Sequence, residues 1–160
     1  MVAVGSLILV YFVEQQLEGW TFARDHWPLH MTLVPWFQVE DEEAAVRSLA
    51  RVSGQGEPLR LGVGGQEKFG VNNDIPVNVV NNQEPVMALH KKLVEALGNA
   101  DTAFGEQNFV GENYQAHITL HIVDGRHSND GEELLVNDFH LVRLIDAGTC
   151  RVEKQFEMLK

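Results

Sequence analysis

Two copies of one short motif lie in the two halves of the 160-residue sequence, each a histidine followed by an apolar residue, a threonine and a leucine. The first copy spans His30 to Leu33 and the second spans His117 to Leu120. Alternate residues of a β-strand point to the same face of the sheet. In a strand, each copy would therefore present an imidazole and a hydroxyl about 6.6 Å apart, with the apolar residues turned into a core.

Two imidazoles and two hydroxyls suit the hydrolysis of a phosphodiester. An unperturbed histidine has a pKa of about 6.5, so one ring can be neutral while the other is protonated near pH 7. A neutral ring takes a proton from the attacking oxygen, and a protonated ring gives one to the leaving oxygen. Threonine hydroxyls can donate hydrogen bonds to the non-bridging phosphate oxygens. The motif pair predicts this chemistry with no metal and no cofactor, and it leaves open which histidine is the base.

These motifs resemble the paired His-x-Thr/Ser motifs of the 2H phosphoesterase superfamily, the 2′-5′ RNA ligase and cyclic phosphodiesterase-like proteins. A glycine-containing strand over 58–69 that ends in phenylalanine, and a helix around 87–93, are also similar to that family. The resemblance covers most of the chain. It implies an α+β fold of two lobes in a pseudo-two-fold arrangement, with mainly antiparallel sheets, helices on the outside and a central cleft.

The resemblance also implies an activity and its residues. It implies a metal-independent phosphoesterase that hydrolyses, or reversibly ligates, 2′,3′-cyclic phosphates or 2′-5′ phosphodiester bonds in nucleotides or short RNA ends. By position, His30 and His117 are the catalytic residues, and Thr32 and Thr119 bind substrate.

The sequence departs from the family pattern beside both motifs. Leu29 and Ala116 stand where the family often has proline, and His121 and Ile122 stand where it often has a basic residue. His121 shares a strand face with His117, so it is a candidate to replace that basic residue; a solvent-facing strand residue is the alternative. The departure favours a second hypothesis, a catalytically weak protein that binds nucleotides or RNA ends in the same cleft. A third is the same fold acting on a non-nucleic phosphodiester.

Three further residues are candidates for substrate binding. Lys68 lies near the end of the glycine-containing strand and could contact phosphate; a solvated charge is its alternative. Trp36 follows the first motif and Tyr114 precedes the second, and either ring could stack on a base. A place in the core or in the cleft wall is the alternative for both rings.

Four histidines, namely His26, His30, His117 and His121, raise the alternative of a metal site. His117 and His121 would meet on one face of a helix, but on a strand they lie about 13 Å apart. Metal–ligand bonds are about 2 Å long, and the alternation of apolar residues around His117 indicates a strand. The sequence therefore predicts no metal site.

Charge and cysteine content narrow the function classes. The chain has 12 Lys and Arg against 23 Asp and Glu, a net charge of −11, which disfavours binding to duplex DNA or long RNA. The one cysteine excludes an intrachain disulfide and fits a reducing cytoplasm. The apolar stretch 6–13 is shorter than the roughly 20 residues that cross a bilayer. We expect a single domain over 1–160, monomeric and cytoplasmic, with no membrane partner.

Periodicity predicts the elements that must position the motifs. Acidic residues at 40–43 favour a helix start. Asn81 and Asn82 mark the start of a second helix, because asparagine is a favourable cap, and His90 lies on the apolar stripe of that helix, where we expect it to be packed. Strands outnumber helices and do not alternate with them, which indicates α+β with mainly antiparallel sheet. The predicted strands cover 6–14, 29–37, 58–70 with a bend at the glycines, 75–80, 115–123, 138–146 and 149–158, and the predicted helices cover 40–52 and 81–97.

Overall fold

The structure, a computed structural model, describes residues 2–70, 72–105, 110–119 and 126–159. The described residues form ten strands, two helices and a 3₁₀ turn at Gly111–Asn113. The strands are β1 (Leu7–Phe12), β2 (Thr21–Ala23), β3 (His30–Val39), β4 (Leu59–Phe69), β5 (Ile75–Val80), β6 (Thr102–Phe104), β7 (His117–Thr119), β8 (Glu133–Val136), β9 (Asp138–Asp146) and β10 (Thr149–Glu157), and the helices are α1 (Glu42–Gln55) and α2 (Gln83–Gly98).

The ten strands form one sheet in the order β2-β10-β9-β1-β3-β7-β5-β4-β8, with β6 paired to the end of β3. Neighbouring strands pair antiparallel, as between β1 and β3 and between β4 and β5. The predicted α+β class with mainly antiparallel sheet is confirmed. In this order, β3 is the last of the first five strands and β7 is the first of the remaining four. Each half of the sheet therefore carries one motif. The motif strands are therefore direct neighbours at the centre.

Both helices pack on one face of the sheet. The larger core cluster combines Leu49 of α1 and Leu93 of α2 with Leu33 of β3, all fully buried. A smaller cluster on the opposite face contains strand residues such as Val10 and Val142, together with partly buried aromatic rings. The helices thus cover one face of the sheet, and the opposite face carries this smaller apolar cluster together with the polar residues of the motifs.

The predicted acidic helix start is confirmed at α1. Asp41 is the N-cap, and its carboxylate accepts a hydrogen bond from the Ala44 amide at 3.0 Å. Glu42 and Glu43 lie in the first turn, where negative charge complements the helix dipole. In the described part of the chain, no helix is long and apolar enough to cross a membrane.

The predicted helix start at Asn81 and Asn82 is confirmed, since Asn82 is the N-cap of α2. Its side chain, however, makes no capping hydrogen bond. Its amide instead accepts from the Gly62 N–H and donates to the Arg60 carbonyl, each at 3.0 Å. The side chain therefore joins β4 to the start of α2, a long-range contact that outweighs the local preference.

The predicted bend in the glycine-containing strand is a bulge. The pairing of β4 with β5 shifts register between Val63 and Gln66. At Gly64, a Cβ atom would lie 2.5 Å from the Asn81 side-chain oxygen and 3.0 Å from the Val79 carbonyl oxygen, so only glycine fits there. The predicted strand 115–123 is described only as β7, because residues 120–125 lie outside the described part.

Candidate functional site

The register of β3 and β7 brings the two motifs together. Met31 pairs with Ile118 in the antiparallel ladder, and both side chains are fully buried. Facing residues of such a ladder point to the same side. His30 therefore stands opposite Thr119, and Thr32 stands opposite His117, on the face away from the helices. The structure thus groups the four residues that the motifs predict.

The backbone just before β3 and an aromatic ring hold the His30 imidazole in place. Its Nδ1 lies 2.9 Å from the Pro28 carbonyl oxygen, which can only accept, so Nδ1 carries the hydrogen and Nε2 keeps its lone pair. The Trp27 ring packs against the imidazole with centroids 4.4 Å apart. Burial lowers the pKa of His30 to about 4; the Pro28 hydrogen bond opposes this shift and the charge of His117 adds to it.

His117 has a matching arrangement. Its Nδ1 lies 2.9 Å from the Gln115 carbonyl oxygen, again two residues earlier in the chain, so Nε2 again keeps its lone pair. The Phe69 ring meets the imidazole edge-on at 4.9 Å between centroids. Burial lowers the pKa of His117, and the Gln115 hydrogen bond opposes that shift. Both motif histidines are therefore neutral at pH 7 in the free protein.

The segment before His30 is tied down by an ion pair. The Glu14 carboxylate accepts a hydrogen bond from the Leu29 amide at 2.7 Å and pairs with Arg126. Arg126 also donates to the Trp27 carbonyl at 3.3 Å. These contacts fix the strand entry whose Trp27 ring packs on His30. Arg126 follows the second motif in the sequence, so these contacts join that part of the chain to the segment just before the first motif.

A cleft of about 570 Å³ lies over these strands. It is lined by Thr32, His117 and Thr119 of the motifs and by apolar residues that include Ile75, which is 42% exposed. A cleft between about 300 and 1,000 Å³ is the usual size for a small-molecule site. The space therefore suits a ligand of nucleotide size beside the motif side chains.

The turn between β4 and β5 forms one wall of this cleft. Gly70 and Asn73 adopt positive φ angles of 96° and 51°, a left-handed conformation that glycine and asparagine tolerate best. This turn carries Lys68, Phe69 and Ile75 to the cleft. Phe69 and Trp27 are site residues that the motif reasoning missed, because their contacts with the histidines cross between distant parts of the chain.

The other predicted binding residues have distinct surroundings. Lys68 is exposed and lines the cleft, and Trp36 is partly buried and also lines it. Tyr114 lines the cleft as well, with its ring stacked on His90 at 4.0 Å and its hydroxyl donating to the Thr32 carbonyl at 2.8 Å. His121 lies outside the described residues.

Metal-ligating groups are not clustered in the described part of the chain. Across residues 2–70, 72–105, 110–119 and 126–159, no three His, Cys, Asp or Glu side chains come close enough together to hold a metal ion. His26, one of the four histidines of the metal alternative, is exposed.

The chain belongs to the 2′-5′ RNA ligase superfamily, since residues 16–140 match the model of that family. This membership places the chain in the 2H phosphoesterase superfamily, as the paired motifs indicated, and that superfamily consists of phosphoesterases and ligases. No curated protein matches the sequence.

Solved structures share the fold over nearly the whole chain. TT0787 of Thermus thermophilus is 20% identical with a TM-score of 0.63, covering 96% of this chain and 97% of that one. LigT of E. coli complexed with 3′-AMP is 13% identical with a TM-score of 0.65, covering 98% and 99%. A crystal structure described as a phosphoesterase is 14% identical with a TM-score of 0.61, covering 99% and 100%. At these identities the likeness shows the fold.

Proposed function

We propose that this protein hydrolyses, or reversibly ligates, 2′,3′-cyclic phosphate or 2′-5′ phosphodiester bonds in nucleotides or short RNA ends. The observation that carries the proposal is the matched support of His30 and His117. Each donates its Nδ1 hydrogen to the carbonyl two residues earlier and keeps Nε2 for the reaction. Membership of the superfamily supports it, and so do the LigT structures complexed with 3′-AMP, ATP and NADP+.

We assign the base role in hydrolysis to His30 and the acid role to His117. His30 has its pKa lowered to about 4, so it is neutral and able to accept a proton over a wide pH range. Its Nε2 takes a proton from water while the water oxygen bonds to phosphorus. The phosphorus–oxygen bond to the ribose then breaks, and His117 donates its Nε2 proton to the leaving oxygen. An anionic phosphate in the cleft raises the pKa of His117 and supplies the protonated form.

Four other residues that line the cleft, namely Thr32, Thr119, Lys68 and Trp36, would bind the substrate. Thr32 and Thr119 donate hydrogen bonds to the non-bridging oxygens, where negative charge increases in the transition state. Lys68, at the rim, supplies a positive charge near phosphate. Trp36 provides a ring face for a base. A tryptophan and one lysine suit a small ligand, which agrees with a net charge of −11 that disfavours long RNA.

A catalytically weak nucleotide- or RNA-end-binding protein is the second candidate. Two observations favour it: the usual basic residue after the second motif is replaced by His121 and Ile122, and the lowered pKa of His117 reduces the supply of the acid form. In that case the cleft would bind a nucleotide without releasing product. The monomeric state and cytoplasmic location stay predictions from the sequence.

A substrate panel tests the proposal. It contains 2′,3′-cyclic mononucleotides, a 2′-5′ dinucleotide, its 3′-5′ isomer and a sugar cyclic phosphate, assayed in EDTA with wild-type protein and the double variant His30→Gln/His117→Gln. We expect wild-type turnover of a cyclic or 2′-5′ substrate. We expect a loss of at least about 1,000-fold in the variant, since one general acid or base contributes about 10²–10⁴-fold.

The outcomes separate the two candidates. If the double variant were as active as the wild type, with matching thermal unfolding and circular dichroism, this result would contradict the paired-histidine reaction. Saturable binding of 3′-AMP by the wild type, with no product from any substrate, would instead support the binding protein. Turnover of the sugar cyclic phosphate alone would move the substrate class away from nucleotides.

A further inference from the structure

In the described part of the chain, the two motif strands pair with each other over a short stretch. Among the described residues, β3 and β7 share one ladder pair, Met31 with Ile118. In contrast, β7 shares three ladder pairs with β5. We call this ladder pair and the strand ends around it the junction. The distance between the His30 and His117 imidazoles depends on it. Contacts outside the ladder therefore have to hold it in place.

A buried histidine of α2 occupies the junction. His90 is 0% exposed, with Nδ1 lying 2.6 Å from the Leu33 carbonyl oxygen and Nε2 lying 2.8 Å from the Gly111 amide nitrogen. A carbonyl accepts and an amide N–H donates, so these partners fix the neutral tautomer with its hydrogen on Nδ1. Burial also lowers the pKa of His90, with the Leu33 hydrogen bond opposing and Lys91 adding to the shift. The ring is a neutral bridge between β3 and the turn at Gly111.

The carbonyl of Leu33 is free to accept this hydrogen bond because β3 bulges there. Between the ladder pairs at Val34 and Thr32, β1 advances by one residue and β3 by two. Leu33 is therefore the extra residue of a bulge, whose backbone groups lie outside the regular ladder. The bulge lies one residue beyond Thr32, so the His90 contact acts on the first motif itself.

Tyr114 extends the contact to the second motif. Its ring is parallel to that of His90, with centroids 4.0 Å apart and planes 6° apart, and its hydroxyl donates to the Thr32 carbonyl at 2.8 Å. Tyr114 follows the 3₁₀ turn and stands three residues before His117. The stacked rings thus contact the backbone of the first motif and the approach to the second.

We propose that His90 and Tyr114 form a positioning pair that holds the two His-x-Thr motifs in register across the cleft. The inference rests on the proposed function, since it concerns the spacing of the catalytic imidazoles. His90 acts through β3 and the turn at Gly111, so it is a positioning residue. A misplacement of about 1 Å at reacting groups can reduce a rate by about 100-fold, so a small shift of this junction has a large effect on turnover.

Three variants test the pair by steady-state kinetics with 2′,3′-cyclic AMP. His90→Phe keeps the stacked ring and loses both hydrogen bonds, and we expect kcat to fall about 10- to 100-fold with KM changed less than about threefold. His90→Asn keeps an amide that can donate to Leu33 and should recover part of kcat. Tyr114→Phe removes the hydroxyl alone and should lower kcat by several-fold.

Phe156→Leu is the matched control. Phe156 stacks on Phe139 at 5.1 Å between β10 and β9, so its replacement also weakens a buried aromatic pair but in strands that carry neither motif. We expect its kcat to stay within about twofold of the wild type. A kcat of His90→Phe equal to that of Phe156→Leu, at similar thermal stability, would overturn the proposal.

NMR titration of the His30 and His117 imidazoles gives a readout that needs no substrate. We expect both titration midpoints to move in His90→Phe and to stay in place in Phe156→Leu. If the wild type turns over no phosphodiester, the proposed function fails, and this titration still decides whether the pair positions the motifs. Unchanged midpoints in His90→Phe would overturn the positioning role.

Discussion

His140 offers a stability test of how the second face of the sheet is built. It lies on β9 with 0% exposure, and neither ring nitrogen has a hydrogen-bond partner among the described residues. Its ring meets Phe12 edge-on at 5.1 Å in an apolar cluster. An unsatisfied buried polar group costs about 1–3 kcal/mol. The two ring nitrogens together cost about 2–6 kcal/mol, and up to about 1.5 kcal/mol is lost to imperfect packing. His140→Leu should therefore raise the free energy of unfolding at pH 7 by at least about 0.5 kcal/mol.

The stability gained by His140→Leu should increase as the pH falls below neutrality. Burial lowers the pKa of His140, while Asp138 and Glu18 oppose that shift, so the unfolded chain takes up the proton first as the pH falls. Wild-type stability then falls with pH below about 6.5, by at most about 1.4 kcal/mol per pH unit for one proton. At pH 5, this histidine accounts for a further loss of at most about 2 kcal/mol, which His140→Leu avoids.

Urea unfolding between pH 5 and 7.5 measures both effects. Leu144→Met, on the same strand and in the same cluster, is the control, because it alters packing without adding or removing a titratable group. Its effect on stability should be the same at every pH. A His140→Leu variant that is less stable than the wild type at pH 7, with an unchanged pH dependence, would refute the reasoning.

Three other measurements follow from the structure. Trp36→Ala should raise KM for a nucleotide substrate by about 5- to 150-fold with little change in kcat, because base stacking contributes about 1–3 kcal/mol. Trp20→Ala removes a ring that is 51% exposed and does not line the cleft, so it should leave KM unchanged. Thr119→Val should lower kcat by about 10- to 1,000-fold through loss of a transition-state donor, and Thr119→Ser should restore most of it. Cys150 is buried and its thiol pKa is raised to about 11 by burial, so a thiol reagent should react at the rate of unfolding; rapid labelling of the native protein would contradict its burial.

Elements with a clear periodicity could be predicted from the sequence. Strands β1, β3, β9 and β10 and both helices lie close to their predicted ranges, and His90 is packed as expected. Strands β2, β6 and β8 have only three or four residues, too few for a pattern. Their formation depends on pairing with distant strands, which local sequence does not encode. Asn82 shows the same limit of local sequence, since its side chain forms hydrogen bonds with β4 in place of a capping hydrogen bond.

The sequence indicated which residues belong to the candidate site, but it did not indicate how the fold brings them together. The alternation around His30 and His117 indicated which side chains share a face, but not that β3 and β7 pair directly. The rings of Trp27 and Phe69 pack against these histidines across long chain separations. Burial of the imidazoles, and hence the lowered pKa values, follows from that packing. The sequence therefore left the base and the acid interchangeable, and our proposal that His30 is the base rests on its burial, which lowers its pKa to about 4.

The pH dependence of kcat/KM for 2′,3′-cyclic AMP tests the paired-histidine account most directly. The base has to be neutral, so activity should fall as the pH drops through the His30 pKa of about 4. The acid has to be protonated, so activity should fall as the pH rises through the His117 pKa, which lies below its usual 6.5. The account predicts a bell-shaped profile with its maximum on the acid side of neutrality, and loss of the alkaline limb in the residual activity of His117→Gln. A rate that rises continuously to pH 9, or an alkaline limb that persists in His117→Gln, would contradict it.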